Sequence, residues 1–160
     1  MKKITTATFT AALLALSATA HADSENTFSG PYIGAQIGIT DQSDETKLVG
    51  ALFAGYRTQL DNNIVLGGEF VLGSVDDDIT KNVWSILGTA GLTVGSNDKG
   101  LAYVGLGYTK INTDLGFSAD DYIVAAGYEH ALSNTWSVRG QISTAGFHTT
   151  DLTVGVLARF

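Results

Sequence analysis

Cysteine is absent from this chain and proline occurs once. Small exported domains often depend on disulfides, so an exported chain of this composition must be held together in another way. After the first 22 residues, no continuous apolar run reaches the length of a transmembrane helix, which needs about 20 residues. Any insertion into a membrane would therefore require a closed β-sheet, because an open sheet leaves backbone groups unpaired in hydrocarbon.

The first 22 residues have the layout of a secretory signal peptide. A basic start at Lys2 and Lys3 precedes a short apolar segment and an A-x-A cleavage signature that ends at Ala22. This three-part pattern predicts export and removal of residues 1–22. The apolar segment is too short for a membrane anchor. Residues 23–160 are then expected to form a single barrel domain.

Basic residues are scarce after cleavage. Without Lys2 and Lys3, 7 basic residues face 16 acidic ones, which gives a formal charge of −9. This balance argues against a nucleic-acid-binding surface, which needs clustered lysine and arginine. Many acids fall in predicted loops near residues 41–47, 76–82 and 112–121, where they could hold a divalent cation and bridge to lipopolysaccharide. The acidic residues could equally serve to keep the loops solvated, and no metal site is predicted.

Eight segments alternate with a period of two between large apolar residues and small or polar ones. Most match the length of a tilted transmembrane strand, about 9–11 residues, and short turns alternate with longer acidic loops. The predicted fold is all-β, an eight-stranded antiparallel up-and-down transmembrane β-barrel. The segments are Tyr32–Thr40, Leu48–Thr58, Ile64–Val75, Val83–Gly95, Leu101–Ile111, Tyr122–Ala131, Trp136–Phe147 and Thr150–Phe160.

The two faces of these segments differ in side-chain size. The interior of an eight-stranded barrel is only just wide enough for side chains, so the glycine-rich face is predicted to line the lumen. The large apolar face is then expected to meet lipid. Eight residues break the pattern. These are the glycines Gly50, Gly68, Gly88 and Gly140 on the lipid face, and Val49, Phe53, Leu87 and Ile123 on the lumen face.

Charged and amide side chains form a candidate network on the lumen face. Charges are tolerated there if they meet a partner or water, and arginine can hold a carboxylate with two hydrogen bonds. A network of this kind could plug the bore or line a narrow ion path, and the small interior favours the plug. Its members are Arg57, Glu69, Glu129, Arg139, Arg159, Gln36 and Gln141.

Aromatic residues near the segment ends predict two girdles at headgroup depth, although aromatics are also enriched in strands generally. Apolar and small or polar residues alternate along the last segment up to a terminal aromatic residue, as in the closing strand of an outer-membrane barrel. The extracellular girdle would comprise Trp84, Tyr108 and Tyr122, and the periplasmic one Tyr56, Tyr128 and Trp136. The outward residues of the last strand are Val154, Val156, Ala158 and Phe160.

No residue pattern predicts catalysis. His130 and His148 are the histidines that remain after cleavage, and Ser143 and Asp151 flank His148. A Ser–His–Asp arrangement can be drawn from them, but nothing in the spacing requires it. Eight-stranded lipid A deacylases carry H-x-S, whereas Gln141 stands two residues before Ser143. Nucleotide, phosphate and cofactor motifs are likewise missing.

Six motifs in order resemble those of small OmpA-like outer-membrane β-barrel proteins, the porin-family or opacity-type surface proteins. The motifs are G-P-Y-I-G-A-Q-I-G, F-A-G-Y-R-T-Q-L with V-L-G-G-E-F, A-Y-V-G-L-G-Y, A-A-G-Y-E and L-T-V-G-V-L-A-R-F. The likeness spans Phe28 to Phe160. It implies an eight-stranded barrel in the outer membrane of a Gram-negative bacterium. Insertion would proceed by the barrel-assembly machinery, which reads the last strand.

The same resemblance implies a structural or surface-interaction role without enzymatic activity. The family's charged lumen positions would map onto Glu69, Glu129, Arg139, Arg57 and Arg159. Expected partners are outer-membrane lipid, lipopolysaccharide and the assembly machinery, and the expected state is a monomer. The periplasmic peptidoglycan-binding domain of larger members is missing, so no link to the cell wall is expected. The alternatives are a narrow, low-conductance pore and a lipid A-modifying enzyme.

Overall fold

All regular structure in the described part of the chain is β-strand. The predicted signal peptide and parts of the acidic loops lie outside the residues that the computed structural model describes. No described segment forms a helix that is long and apolar enough to cross a membrane. The described residues are 27–42, 45–75, 80–95, 98–113, 118–146 and 149–160. The strands are β1 (Gly30–Gln42), β2 (Glu45–Gln59), β3 (Ile64–Val75), β4 (Thr80–Val94), β5 (Gly100–Thr113), β6 (Ser118–Ala131), β7 (Trp136–Ala145) and β8 (Thr149–Arg159).

The eight strands form a closed barrel in which each strand pairs with its neighbours in chain order. Every pairing is antiparallel, and β1 closes the barrel against β8 from Tyr32 opposite Arg159 to Gln42 opposite Thr149. The predicted eight-stranded up-and-down barrel is therefore confirmed. Closure leaves no unpaired sheet edge, which is the condition for placing a sheet in hydrocarbon.

Several strands are longer than the predicted segments. For example, β5 and β6 continue to Asn112 opposite Ser118, beyond the predicted limits at Ile111 and Tyr122. Side-chain alternation ends where polar residues begin, but the backbone ladder continues because its hydrogen bonds do not depend on side-chain polarity. In contrast, β7 ends at Ala145, before the predicted limit at Phe147, which lies outside the described residues.

One rim of the barrel consists of tight turns. Between β2 and β3, Leu60 N–H donates to the carbonyl of Ile64 at 2.7 Å. Asn63 adopts a φ of 64° in this turn, a left-handed conformation that asparagine tolerates better than most residues. Between β6 and β7, the Ser133 hydroxyl accepts hydrogen bonds from the N–H groups of Thr135 and Trp136. These local bonds fix the register of the adjoining strands.

Large apolar side chains project outward along the whole barrel. Leu92, Leu106 and Val154 are 54%, 65% and 63% exposed. A soluble barrel would bury such residues and expose its charges, whereas Glu69 and Glu129 are among the least exposed residues here. The orientation is the one expected of a barrel whose outer surface contacts lipid.

Lumen glycines allow the backbone to approach neighbouring strands. A Cβ atom on Gly107 would lie 1.9 Å from the Ile86 carbonyl oxygen, and one on Gly38 would lie 2.0 Å from that of Leu152. Outward glycines are different, because a Cβ on Gly88 has no neighbour closer than 3.8 Å. Glycine is therefore sterically required inside the barrel at these positions and not required at Gly88.

We expect Leu92→Arg to impair assembly, because an arginine at mid-bilayer depth on the outer surface of a barrel costs about 2–4 kcal/mol. The measurement is the amount of heat-modifiable protein in the outer-membrane fraction, seen as a difference in gel mobility between boiled and unboiled samples. Asn62→Arg, in an exposed turn, serves as the control and should assemble normally. Equal yields of the two variants would contradict the lipid-facing assignment of Leu92.

A pair of alanine substitutions separates the two classes of glycine. Gly107→Ala should strongly lower the yield of folded barrel, because the added Cβ meets backbone that cannot move alone. Gly88→Ala, on the neighbouring strand but pointing outward, should leave folding unchanged or improved, since alanine restricts the unfolded chain. Denaturant unfolding in detergent, followed by tryptophan fluorescence, measures both. Similar midpoints for the two variants would argue against close backbone approach at Gly107.

Candidate functional site in the barrel lumen

An ion pair between Arg139 on β7 and Glu69 on β3 crosses the lumen, since these strands lie on opposite sides of the barrel. Arg139 Nη1 donates to Glu69 Oε2 at 2.6 Å and Nη2 donates to Oε1 at 3.2 Å. The side chains are 1% and 3% exposed. Gln36 Oε1 accepts from Arg139 Nη2 at 3.0 Å, and the Tyr32 hydroxyl donates to Glu69 Oε2 at 2.9 Å. This pair is therefore bidentate and further hydrogen-bonded, which offsets part of the cost of burying two charges.

A second ion pair connects Arg57 on β2 with Glu129 on β6, again from opposite sides of the barrel. Arg57 Nη1 lies 2.7 Å from Glu129 Oε2, and the two side chains are 4% and 0% exposed. Glu129 Oε1 is buried without a hydrogen-bond partner among the described residues. The two ion pairs together tie four strands across the bore.

Aromatic rings cover both guanidinium groups. The Arg57 Cζ atom lies 4.0 Å from the centroid of the Tyr32 ring. The Arg139 Cζ atom lies 3.7 Å from that of Phe53 and 5.9 Å from that of Tyr103. Such cation–π contacts replace part of the lost hydration of a buried arginine. Gln141, the second amide named from the sequence, accepts a hydrogen bond from the Tyr103 hydroxyl at 2.8 Å.

Tyr32, Phe53 and Tyr103 belong to the lumen network in addition to the residues predicted from the sequence. Tyr32 lies two residues before Gly34, and Tyr103 lies two residues before Gly105, so the period of two already puts them on the glycine-rich face. Phe53 was noted only as a break in the pattern. The size of a side chain alone therefore does not predict which face it occupies, because the lumen arginines have aromatic rings beside them.

Arg159 binds backbone rather than a carboxylate among the described residues. Its guanidinium donates to the carbonyl oxygens of Thr27 and Ser133 and lies 5.3 Å from the centroid of the Phe28 ring. Phe28 N–H donates to Gln59 Oε1 at 3.2 Å. Arg159 therefore links the segment before β1, the β6–β7 turn and the last strand.

Phe28 closes the rim at which the tight turns lie. Its side chain is 1% exposed and belongs to an apolar cluster with Val65, Leu101, Tyr103 and Ala131. Gln59 N–H donates to the Ser29 hydroxyl at 2.9 Å, which holds the same segment in place. Strand alternation carries no signal for Phe28, because this residue precedes β1 and is placed by its contacts with Arg159 and Gln59.

The opposite half of the lumen contains an apolar belt and a small cavity. Leu87, Ile123 and Ala125 are buried together, with Val71 packed against them. Two of these side chains, Leu87 and Ile123, were breaks in the alternation, and their packing with each other and with Val71 accounts for them. The same half contains a cavity of about 130 Å³, lined mainly by apolar side chains that include Leu87 and Ile123, together with several hydroxyl groups and Asp151. Thr40, which also lines this cavity, lies directly opposite Asp151 in the β1–β8 pairing.

The residues of the predicted girdles all lie on the outer surface. Trp84 and Tyr108 are in contact, with ring centroids 5.9 Å apart, and Tyr108 is directly opposite Tyr122. At the other rim Tyr56, Tyr128 and Trp136 are 61%, 48% and 54% exposed. The last strand turns Val154 and Val156 outward, Ala158 on the same face is half-buried, and Phe160 N–H donates to the Pro31 carbonyl at 3.0 Å.

The structure gives no support to a catalytic or metal site among the described residues. Ser143 is 6% exposed and faces the lumen opposite Asp151, while His148 lies outside the described residues. In the described part of the chain, no three acidic, histidine or cysteine residues group as metal ligands. Several acids of the predicted loops, including Asp44, Asp76–Asp78 and Asp114, also lie outside it.

We expect Glu129→Ala to destabilise the barrel by about 3–5 kcal/mol, because it leaves the Arg57 guanidinium buried without its partner. The free energy of unfolding in detergent, from urea titration followed by tryptophan fluorescence, measures the effect. The double variant Arg57→Met with Glu129→Leu should lose less than Glu129→Ala alone, since both charges are removed. Additive losses at the two positions would indicate that the ion pair contributes no coupling.

The comparisons with known proteins agree with this geometry. The family model described as outer membrane protein beta-barrel domain matches residues 8–160. Among solved structures, Neisserial surface protein A is 17% identical, with a TM-score of 0.56 over 82% of this chain and 98% of that one. The N-terminal β-barrel domain of Pseudomonas aeruginosa OprF is 14% identical, with a TM-score of 0.59 over 82% and 99%.

A designed transmembrane β-barrel also has the same fold, with 11% identity and a TM-score of 0.54 over 82% of this chain and 97% of that one. At such identities the structures establish the fold alone. The search of curated proteins gave no match. The family model nevertheless covers nearly the whole sequence, and the outward apolar face and charged lumen fit it. The chain belongs to the outer membrane protein β-barrel family.

Proposed function

We propose that this protein is a non-enzymatic barrel of the Gram-negative outer membrane, with a role in envelope structure or surface interaction. It is exported through the periplasm, inserted by the barrel-assembly machinery through its last strand, and works as a monomer in contact with lipid and lipopolysaccharide. The tight turns face the periplasm and the acidic loops face outward. The two aromatic girdles fix its depth in the bilayer.

A plugged lumen is the central feature of this proposal. The observation that carries it is the pair of ion pairs, Arg139–Glu69 and Arg57–Glu129, each spanning the bore between opposite strands. Buried apolar clusters around Phe28 and around Leu87 fill further parts of the bore. Because both ion pairs are almost fully buried, the bore beside them has no room for a solute to pass.

The position of Ser143 supports a non-enzymatic role. A lipid A-modifying enzyme must present its nucleophile to the bilayer, whereas the Ser143 hydroxyl points into the lumen. Gln141, at the position where such enzymes carry histidine, accepts a hydrogen bond from Tyr103 and is part of the lumen packing.

A narrow pore is the second candidate, because the cavity lined by Asp151 already occupies part of the bore. Passage would require the ion pairs and the Phe28 cluster to separate. Within the described residues these groups are closely packed. A pore would therefore require a second conformation of the lumen, whereas a plugged barrel would not.

Single-channel recording in planar bilayers distinguishes the two functions. The wild-type protein is expected to give no steady openings. A variant with alanine at Phe28, Arg57, Glu69, Glu129 and Arg139 should give openings, because it removes both ion pairs and the ring that closes the rim of the tight turns. Folding of the variant is checked by heat-modifiable gel mobility before recording.

Phe70→Ala is the matched control, since it shortens an outward side chain on the strand of Glu69. It should remain silent. Steady wild-type openings that the lumen variant alters in conductance or ion selectivity would establish the pore instead. Changes in lipid A mass upon expression of the wild-type protein would overturn the non-enzymatic assignment.

A further inference from the structure

Gly140, in the middle of β7, has no steric reason within the chain to be glycine. A Cβ atom built on it meets nothing within 4 Å, and its φ is outside the left-handed region. The lumen glycines differ, since a Cβ on Gly38 or Gly107 would overlap backbone. Glycine weakens a strand, and inside a strand it often marks a place where a ligand or another backbone approaches.

Gly140 is the floor of a hollow on the outer surface of the barrel, with a volume of about 740 Å³. Across four strands its row reads Tyr128, Gly140, Val154 and Ile37. The three side chains are 48%, 63% and 54% exposed and stand on either side of the missing Cβ. The result is an apolar depression, here called the Gly140 groove, on the face that contacts lipid.

The end of the groove nearest the tight turns is polar. His130, one residue before the end of β6, lines the groove and stacks on Tyr128 with ring centroids 6.5 Å apart. Exposed Trp136 begins the next strand. Imidazole, phenol and indole groups can donate hydrogen bonds at the depth of lipid headgroups. An apolar groove with donors at one end matches a molecule with an apolar chain and a polar head.

We propose that the Gly140 groove holds one acyl chain of a glycerophospholipid from the periplasmic leaflet, with its phosphate beside His130. An empty groove would deprive its lining of van der Waals contacts, and an acyl chain restores them. The leaflet assignment rests on the proposed function, in which the tight turns face the periplasm. Lipopolysaccharide, with its sugars at the opposite rim, would place its headgroup away from His130.

A second copy of the chain fits this surface less well. Symmetric dimers contact each other through the same patch, so the concave groove of one copy would face the concave groove of the other. The centre of that interface would remain unfilled. A flexible chain can follow a groove that two rigid barrels cannot fill.

Native mass spectrometry of the mature protein in mild detergent, titrated with palmitoyl-oleoyl phosphatidylglycerol, tests the proposal. The wild type should bind a first lipid at a concentration about tenfold below that needed for later ones. Gly140→Leu fills the groove and should remove this preference. Gly88→Leu, which also adds an outward side chain in open space, should retain it.

Two further variants test the proposal in case Gly140→Leu does not fold. Gly140→Ala should weaken the first binding event in proportion to the smaller side chain. His130→Ala should weaken binding of phosphatidylglycerol while leaving binding of a diacylglycerol with the same chains unchanged. Heat-modifiable mobility of each variant shows separately whether the barrel folds, and its presence in the outer-membrane fraction shows whether the proposed location is correct.

Three results would overturn the proposal. One is identical lipid binding by the wild type, Gly140→Leu and Gly88→Leu. Another is a dimer that Gly140→Leu abolishes, which would assign the groove to a second copy. The third is tighter binding of lipid A than of phosphatidylglycerol at this groove, which would assign the groove to the leaflet that contains lipopolysaccharide.

Discussion

The lumen of this barrel depends on the contact between Arg139 and Glu69. Removing two charges from water costs several kcal/mol for each ion, and the pair is tolerated only when its remaining hydrogen-bonding capacity is largely met. Glu69 therefore also accepts from Tyr32, and Arg139 also donates to Gln36. These residues reach the centre from three strands, β1, β3 and β7. The closed sheet and the ion pair are thus interdependent, since the barrel excludes water and the pair ties its walls together.

Space inside the barrel explains the rest of the interior. Glycine at positions such as Gly38 and Gly107 brings strands together and leaves the centre for a few long side chains. Arginine beside Phe53 or Tyr32 fills that centre with stacked groups of similar shape. The described interior therefore combines buried ion pairs with aromatic rings that cover their guanidinium groups.

The sequence was sufficient to predict the fold and less informative about the site. A period of two, together with the limited width of eight strands, assigned the two faces from residues such as Leu92 and Gly107. It could not identify which charges would meet, because partners such as Arg57 and Glu129 are 72 residues apart and their strands become opposite only on closure. Phe28 lies outside any repeat, so alternation contains no information about it. The sequence shows that Leu87 and Ile123 break the period-two alternation. It does not show the cause, because these residues lie on different strands that come together only in the folded barrel.

The contact of Arg159 with Thr27 has a consequence for folding order. It joins residues 132 positions apart, nearly the full span of the described chain. Contacts of such long range form late, because the loop entropy must be overcome before they are made. A nascent barrel that lacks its eighth strand has no Arg159 to hold the segment around Phe28. This mouth of the barrel therefore closes only when β8 pairs with β1, which makes its closure one of the last steps of folding.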